Sequence, residues 1–338
     1  MIYPGSVHGY MRMTALIKRI SAYACGLILF SGILQNLQAQ WSSARSSGDS
    51  SAFEVQIPNV IRVSTNLVTV PVSVTDAAGH PVSNLVPGDF RIEEDGDFEV
   101  LAKVAEAGQS PLNLALLFDL SGSVNPRFEF EQQAAIRFLE KVWKPGDTVS
   151  IVSFSDQPRI RLQASNSLPE ALRKLMGLEP TRSMTAFYDT VVFAANMLRQ
   201  SATPETRQSQ IALSDGEDNG SRHNLMEAAM EVQRSDTIFY SINPAGASVR
   251  LNEISRKGQG NLESLAAETG GSAFVSDKAG DLDDIFNRIA IELRAQYLLS
   301  YYSSNSRPDG KFRRITVSLP RKPELRVRAR QGYYAARR

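Results

Sequence analysis

Apolar and polar positions alternate along "LVTVPVSVTD", residues 67–76, placing Val68, Val70, Val72 and Val74 on one side. A period of two predicts a half-buried β-strand. Turn-forming residues follow in "AAGHPVSNL", and "DFRIEEDG" predicts the next strand. At Pro111 the pattern changes. Short apolar runs, "LALLFD", "TVSIVSF", "QIALSDG", "TIFYSIN" and "SAFVSD", alternate with helical periodicity over 128–142, 168–178, 186–198, 224–234, 261–269 and 282–295. Strands alternating with helices predict an α/β fold, a doubly wound, mostly parallel sheet with helices on both faces. Toward the C-terminus the period returns to two. In "LRVRAR", Leu325, Val327 and Ala329 alternate with Arg326, Arg328 and Arg330. The expected organisation is an α/β domain at 111–297, flanked by β segments at 61–110 and 298–338 that pair in space into one small β module.

The N-terminus has a different character. Arg12, Lys18 and Arg19 precede the apolar run "AYACGLILFSGIL", and "LQAQ" supplies small residues near Ala39. This predicts a secretory signal peptide over 1–40, with Met11 a candidate start, and hence a secreted or periplasmic protein, envelope association left open. The apolar run falls short of the roughly 20 residues of a membrane span, so membrane attachment is expected only through an uncleaved signal. Residues 41–60, beginning "WSSARSSGDSS", predict a Ser-rich linker. Cys25 is the only cysteine and lies inside the signal, so the exported chain has neither disulfides nor thiolate chemistry.

Charge excludes a global field for nucleic acid. Without the three basic residues of the signal, 34 Lys and Arg stand against 36 Asp and Glu, a net charge of −2. Residues 307–338 do carry 11 basic and 2 acidic residues. Their alternation reads as the charged outer face of a strand, with the acidic stretch 91–100 as its expected partner.

Ligands of α/β folds collect at the carboxyl ends of the strands. At one such end, "LALLFDLSGSVN", residues 114–125, presents Asp119, Ser121 and Ser123. "ALSDGEDN" brings Asp215 to the same edge, and "SMTAFYD" brings Thr185. Carboxylates and hydroxyls are hard oxygen donors suited to Mg²⁺, Mn²⁺ or Ca²⁺. With only two carboxylates, Asp119 and Asp215, the cation stays incompletely neutralised. Such a site favours one more anionic ligand from outside.

Residues 111–297 resemble a von Willebrand factor type A (VWFA) domain. "DLSGS", Thr185 and the Asp of "SDG" match that family's metal-ion-dependent adhesion site in order and approximate spacing. With the flanking "VSVTDAAGHPVSNLVPGDFRIEEDG" and "DGKFRRITVSLPRKPELRVRARQGYYA", the chain is similar to the VWFA-related family abundant in acidobacterial genomes. The resemblance implies a Rossmann-like fold whose divalent cation, most readily Mg²⁺, is held by Asp119, Ser121, Ser123, Thr185 and Asp215, some through water. It also implies a protein partner that presents an acidic side chain to the cation. Members commonly carry glycine before the threonine, where this chain has Arg182, Ser183 and Met184. Arg182 would place a positive charge near the cation. The alternative reading is a structural or envelope-assembly protein that uses the same fold without metal.

Other constellations are excluded. "DGEDNG" begins like an EF-hand loop, but its twelfth position is Met226 rather than the closing Glu. His80 and His223 have no companion at metal-ligand spacing. Neither a G-x-S-x-G elbow nor a P-loop occurs, and Ser121 would need His223 as its base, so no enzymatic activity is expected. "DLDDIF" at 281–286 complements a helix dipole. The pairs Tyr301–Tyr302 and Tyr333–Tyr334 are expected to alternate in burial within strands.

Overall fold

The computed structural model describes residues 67–106, 108, 110–122, 127–181, 183–203, 206–246, 252–278 and 281–337. The expected signal and linker, Ser123 and Arg182 lie outside them. The first strands are β1 (Leu67–Thr75), β2 (Arg91–Glu94), β3 (Asp97–Glu99) and β4 (Leu101–Glu106). Next come β5 (Leu112–Asp119), α1 (Phe128–Val142), β6 (Thr148–Phe154), β7 (Pro158–Ser165), α2 (Leu168–Met176) and α3 (Phe187–Gln200). These are followed by β8 (Arg207–Leu213), α4 (Leu225–Arg234), β9 (Thr237–Asn243), α5 (Glu253–Thr269), β10 (Ala273–Val275) and α6 (Asp281–Ala295). The last strands are β11 (Tyr297–Tyr302), β12 (Phe312–Ser318), β13 (Arg326–Ala329) and β14 (Gly332–Tyr334).

The central sheet runs β10-β9-β8-β5-β6-β7, parallel throughout except for β7, which pairs antiparallel with β6. Every residue of β5 is buried, because helices cover both faces. Alternation along the strand assigns the sides. Leu112, Leu114, Leu116 and Phe118 join the core under α1, α2 and α6, whereas Ala115 and Leu117 join the core under α3, α4 and α5. Strand β7 was not expected from its pattern. Its residues are mostly exposed and Leu162 alone is buried, as suits an edge strand.

Helix α5 starts eight residues earlier than its apolar period suggests, capped by Asn252 Oδ1 accepting from the Ser255 amide at 2.7 Å. Two glycines obscure this start. Gly258 lies so close to the loop after β8 that a Cβ there would meet the Asp215 carbonyl oxygen at 2.5 Å. Across the contact, Gly216 has a φ of +74°. The glycine pair lets the helix press against the backbone that carries Asp215.

Strands from the two flanking segments pair with each other. One antiparallel sheet has the order β13-β1-β11-β4, the other β14-β12-β2-β3, and they share a core built around Val70, Val72, Ile92, Leu299 and Tyr301. Tyr301 is buried and Tyr302 exposed, as alternation requires. The expected charge partners of Arg326–Arg330 are corrected. Strand β13 pairs with β1, so Arg328 meets Glu292 and Arg330 meets Asp236, while the acidic strand β2 lies beside β12. Glu94 instead accepts from the hydroxyls of Tyr301 and Ser303, each at 2.7 Å. A single residue, Gln296, joins α6 to β11. Near this junction the Glu292 carboxylate accepts from Ser73 Oγ of β1 at 3.0 Å and Tyr240 OH of β9 at 2.7 Å.

Candidate metal centre

The carboxyl ends of β5 and β8 are neighbours, with Phe118 opposite Leu213, so the loops that follow them emerge side by side. Asp119 ends β5 fully buried. Its Oδ1 accepts from the Ser121 amide at 2.9 Å and its Oδ2 from Ser214 Oγ at 2.7 Å. The second bond ties the first loop to the third. Asp215, 3% exposed, follows Ser214, and its Oδ1 accepts from the Glu217 amide at 3.1 Å.

Thr185 enters from the second loop. Its amide donates to Asn219 Oδ1 at 2.8 Å, and its carbonyl accepts from the Asn219 and Gly220 amides at 3.1 and 3.0 Å. Asp189 on α3 adds a second tie, its Oδ1 accepting from the Arg222 and His223 amides and meeting His223 Nδ1 at 2.7 Å. Asp119, Ser121, Thr185 and Asp215 are therefore buried residues of three mutually bonded loops. Ser123, the remaining expected ligand, lies outside the described residues. His223 lines a cleft with Asp156, Asp189 and Phe193, and Ser121 is absent from the described lining.

Burial raises the Asp119 carboxyl to about 7, and the nearby Asp215 charge acts in the same direction. Hydrogen bonds from Ser121 and Ser214 partly oppose the rise. Two acidic groups, one wholly out of water, are thus crowded at one sheet edge with hydroxyls around them. Glu217 is likewise raised, first by burial and then by Asp215.

Sequence reasoning missed Glu131. On the first turn of α1 it is 1% exposed, and neither carboxylate oxygen has a hydrogen-bond partner among the described residues. Burial, then the Asp119 charge, raises it to about 8. The signal was present. Phe128, Glu131, Ala135, Phe138, Leu139 and Val142 form the buried stripe of α1, and Glu131 is its one charged member.

The donor chemistry fits a hard divalent cation: two carboxylates, one of them disfavoured by burial as a bare anion, with neighbouring hydroxyls. Asp119 and Asp215 would supply the charge, Ser121 and Thr185 neutral oxygens.

The sequence matches the von Willebrand factor type A domain over residues 113–288. This is more than half of the chain, and the chain belongs to that family. Comparison with proteins of curated function found no match. Among solved structures, proximal thread matrix protein 1 from the mussel byssus, with a zinc-occupied MIDAS motif, is 16% identical with a TM-score of 0.47. That likeness covers 60% of this chain and 50% of the mussel protein. A von Willebrand factor type A protein from Catenulispora acidiphila is 13% identical with a TM-score of 0.45, over 69% of this chain and 51% of its own. The conserved hypothetical protein BatB from Bacteroides thetaiotaomicron is 17% identical with a TM-score of 0.41, over 53% of this chain and 97% of its own. The chain thus spans about half the length of the first two.

Proposed function

We propose that the protein is an exported, metal-dependent protein-binding module. A divalent cation, Mg²⁺ by preference, is held by Asp119, Ser121, Ser123, Thr185 and Asp215 and receives a carboxylate from a protein partner. The observation that carries this reading is the pairing of buried Asp119 with Asp215 across two bonded strand ends. Two carboxylates beside hydroxyls supply charge that a hard cation would neutralise. Bound there, the cation supplies a Lewis-acidic position for an outside oxygen ligand. The chain's own part is to hold the three loops in register through Ser214, Asn219 and Asp189. It acts by binding rather than turnover. Export rests on the residues from Met11 to Gln40; among the described residues no helix is long and apolar enough to cross a membrane.

The test is titration of the protein lacking residues 1–40 with Mg²⁺, Mn²⁺ and Ca²⁺ by calorimetry and thermal melting, beside Asp119→Ala. Wild type is expected to bind and gain melting temperature, and the variant to do neither. If neither binds while both fold, the fold serves as a metal-free scaffold and the proposal fails.

A further inference from the structure

Beside the candidate cation loops lies a polar pocket of about 140 Å³, bounded by Leu120 of the first loop, Thr181 and Ser183 of the second, Asp156 of the β6–β7 turn, and Arg159 and Arg161 of β7, two guanidinium groups against one carboxylate. Leu120 stands between Asp119 and Ser121. Its carbonyl accepts from the Thr181 amide at 2.6 Å and Thr181 Oγ1 at 2.9 Å, which fixes the pocket wall to the cation loop. A register break in β7 between Ile160 and Leu162 leaves Arg161 outside the ladder, and both Arg159 and Arg161 reach the pocket on the side of Ser153, the residue that Arg159 faces across the strands. Arg161 is anchored at one point, its Nε donating to Ser153 Oγ at 2.7 Å, and its terminal nitrogens have no hydrogen-bond partner among the described residues. Arg159 comes within 3.9 Å of Asp156, beyond hydrogen-bond reach. Two guanidinium groups therefore stand beside the cation loops with donors to spare.

The opposite flank carries the other sign. The third loop follows Asp215 with Glu217 and Asp218, and Asp218 Oδ2 is buried without a partner among the described residues. A second anionic group on a bound partner would be repelled from that flank and attracted to the β7 flank. Guanidinium matches carboxylate geometry through paired N–H donors, and a partly fixed arginine loses less freedom on pairing.

We propose that this pocket is an anion subsite that takes a second acidic side chain of the partner, next to the carboxylate that completes the cation site. The inference rests on the function proposed above and adds to it. The partner presents at least two acidic residues, and it lies across the face with its more acidic end toward β7.

Two synthetic peptides of equal length serve as probes, one with a single aspartate among serines and one with aspartate throughout. Both are titrated in Mg²⁺ buffer against wild type and the double variant R159Q/R161Q. Both arginines are exposed, so the variant is expected to fold, and a melting curve checks this. The polyaspartate peptide should lose roughly fivefold in affinity, the size expected for two exposed charge pairs, with the single-aspartate peptide unchanged. Equal loss for both peptides, or none, overturns the proposal. Sulfate titrated into chelator-treated protein reads the pocket without the cation. The Arg161 Nε–H signal and the amides of Ser153, Thr181 and Ser183 should shift saturably in wild type and not in the variant. Unshifted wild-type signals overturn the subsite. If the cation reading alone fails, Mg²⁺ leaves peptide binding unchanged while the sulfate response persists.

Discussion

Glu131→Gln isolates the energetic role of the buried carboxyl beneath the candidate cation loops. The folded chain raises this group from 4.5 to about 8, so between those values it keeps a proton that the unfolded chain has released. The folded state then binds more protons, and stability must fall as pH rises through the window, levelling off above pH 8. At about 1.4 kcal/mol per tenfold change in proton affinity, the full rise corresponds to roughly 5 kcal/mol. Between pH 5 and pH 8.5 the part expressed is about 4 kcal/mol. Glutamine has nearly the shape of the protonated acid and cannot ionise. The variant should match wild type at pH 5 and exceed it by about 4 kcal/mol at pH 8.5, some 8–16 °C in melting temperature for a domain of this size. Asp119 is raised from 3.8 to about 7 and adds a slope of the same sign, which the variant retains. The assay is urea unfolding in a chelating buffer across this pH range. Parallel pH curves for the two proteins would refute the reasoning, since Glu131 would then be ionised or solvated in the folded chain.

Three further substitutions probe the loops. Gly258→Ala places a Cβ against the Asp215 carbonyl, so it should cost about 1–3 kcal/mol and weaken cation binding, checked by melting and calorimetry on one sample. Asn219→Ala removes the acceptor of the Thr185 amide; a loss of about 1 kcal/mol in urea unfolding and weaker cation affinity are expected. Leu116→Ala hollows the core beneath the central sheet, and should lower stability by about 2–5 kcal/mol in urea while cation affinity, measured where the variant is still folded, stays at the wild-type value.

The central α/β fold could be read directly because its strands are buried on both sides and its helices carry one apolar stripe each. Helix α1 matches its apolar period from Phe128 to Val142. Elsewhere local pattern and tertiary contact diverge. Gly258 and Gly260 of α5 look like a break, yet Gly258 serves a close approach to the Asp215 loop that only the folded chain contains. Edge strand β7 has too little buried surface to mark itself. The charge partners across distant segments are equally hidden, since nothing local assigns Arg328 to Glu292 or Arg330 to Asp236.

The candidate site divides the same way. Asp119, Ser121, Thr185 and Asp215 could be nominated because oxygen-bearing residues at strand ends stand out against apolar runs. The ties that hold them could not, because Ser214, Asn219 and Asp189 look like ordinary loop and helix-start residues. Glu131 was legible in principle, as the one charge on an otherwise apolar helical face.

The single-residue joint between α6 and β11 restricts how the molecule can move. Strand β11 is clasped on both sides, by β1 and by β4, with Tyr301 opposite Val68 and bonded to Glu94. Sliding α6 along its axis by one turn, about 5.4 Å, would drag β11 by more than one and a half strand residues. Displacement by even one residue would turn its inward side chains outward and extract Tyr301 from its core. The helix is thus tethered to a latch rather than to a free cord. Mechanical strain applied to the candidate cation loops would have to be absorbed within the α/β layers or turn the paired sheets as one body, so the β module would act as ballast against axial sliding.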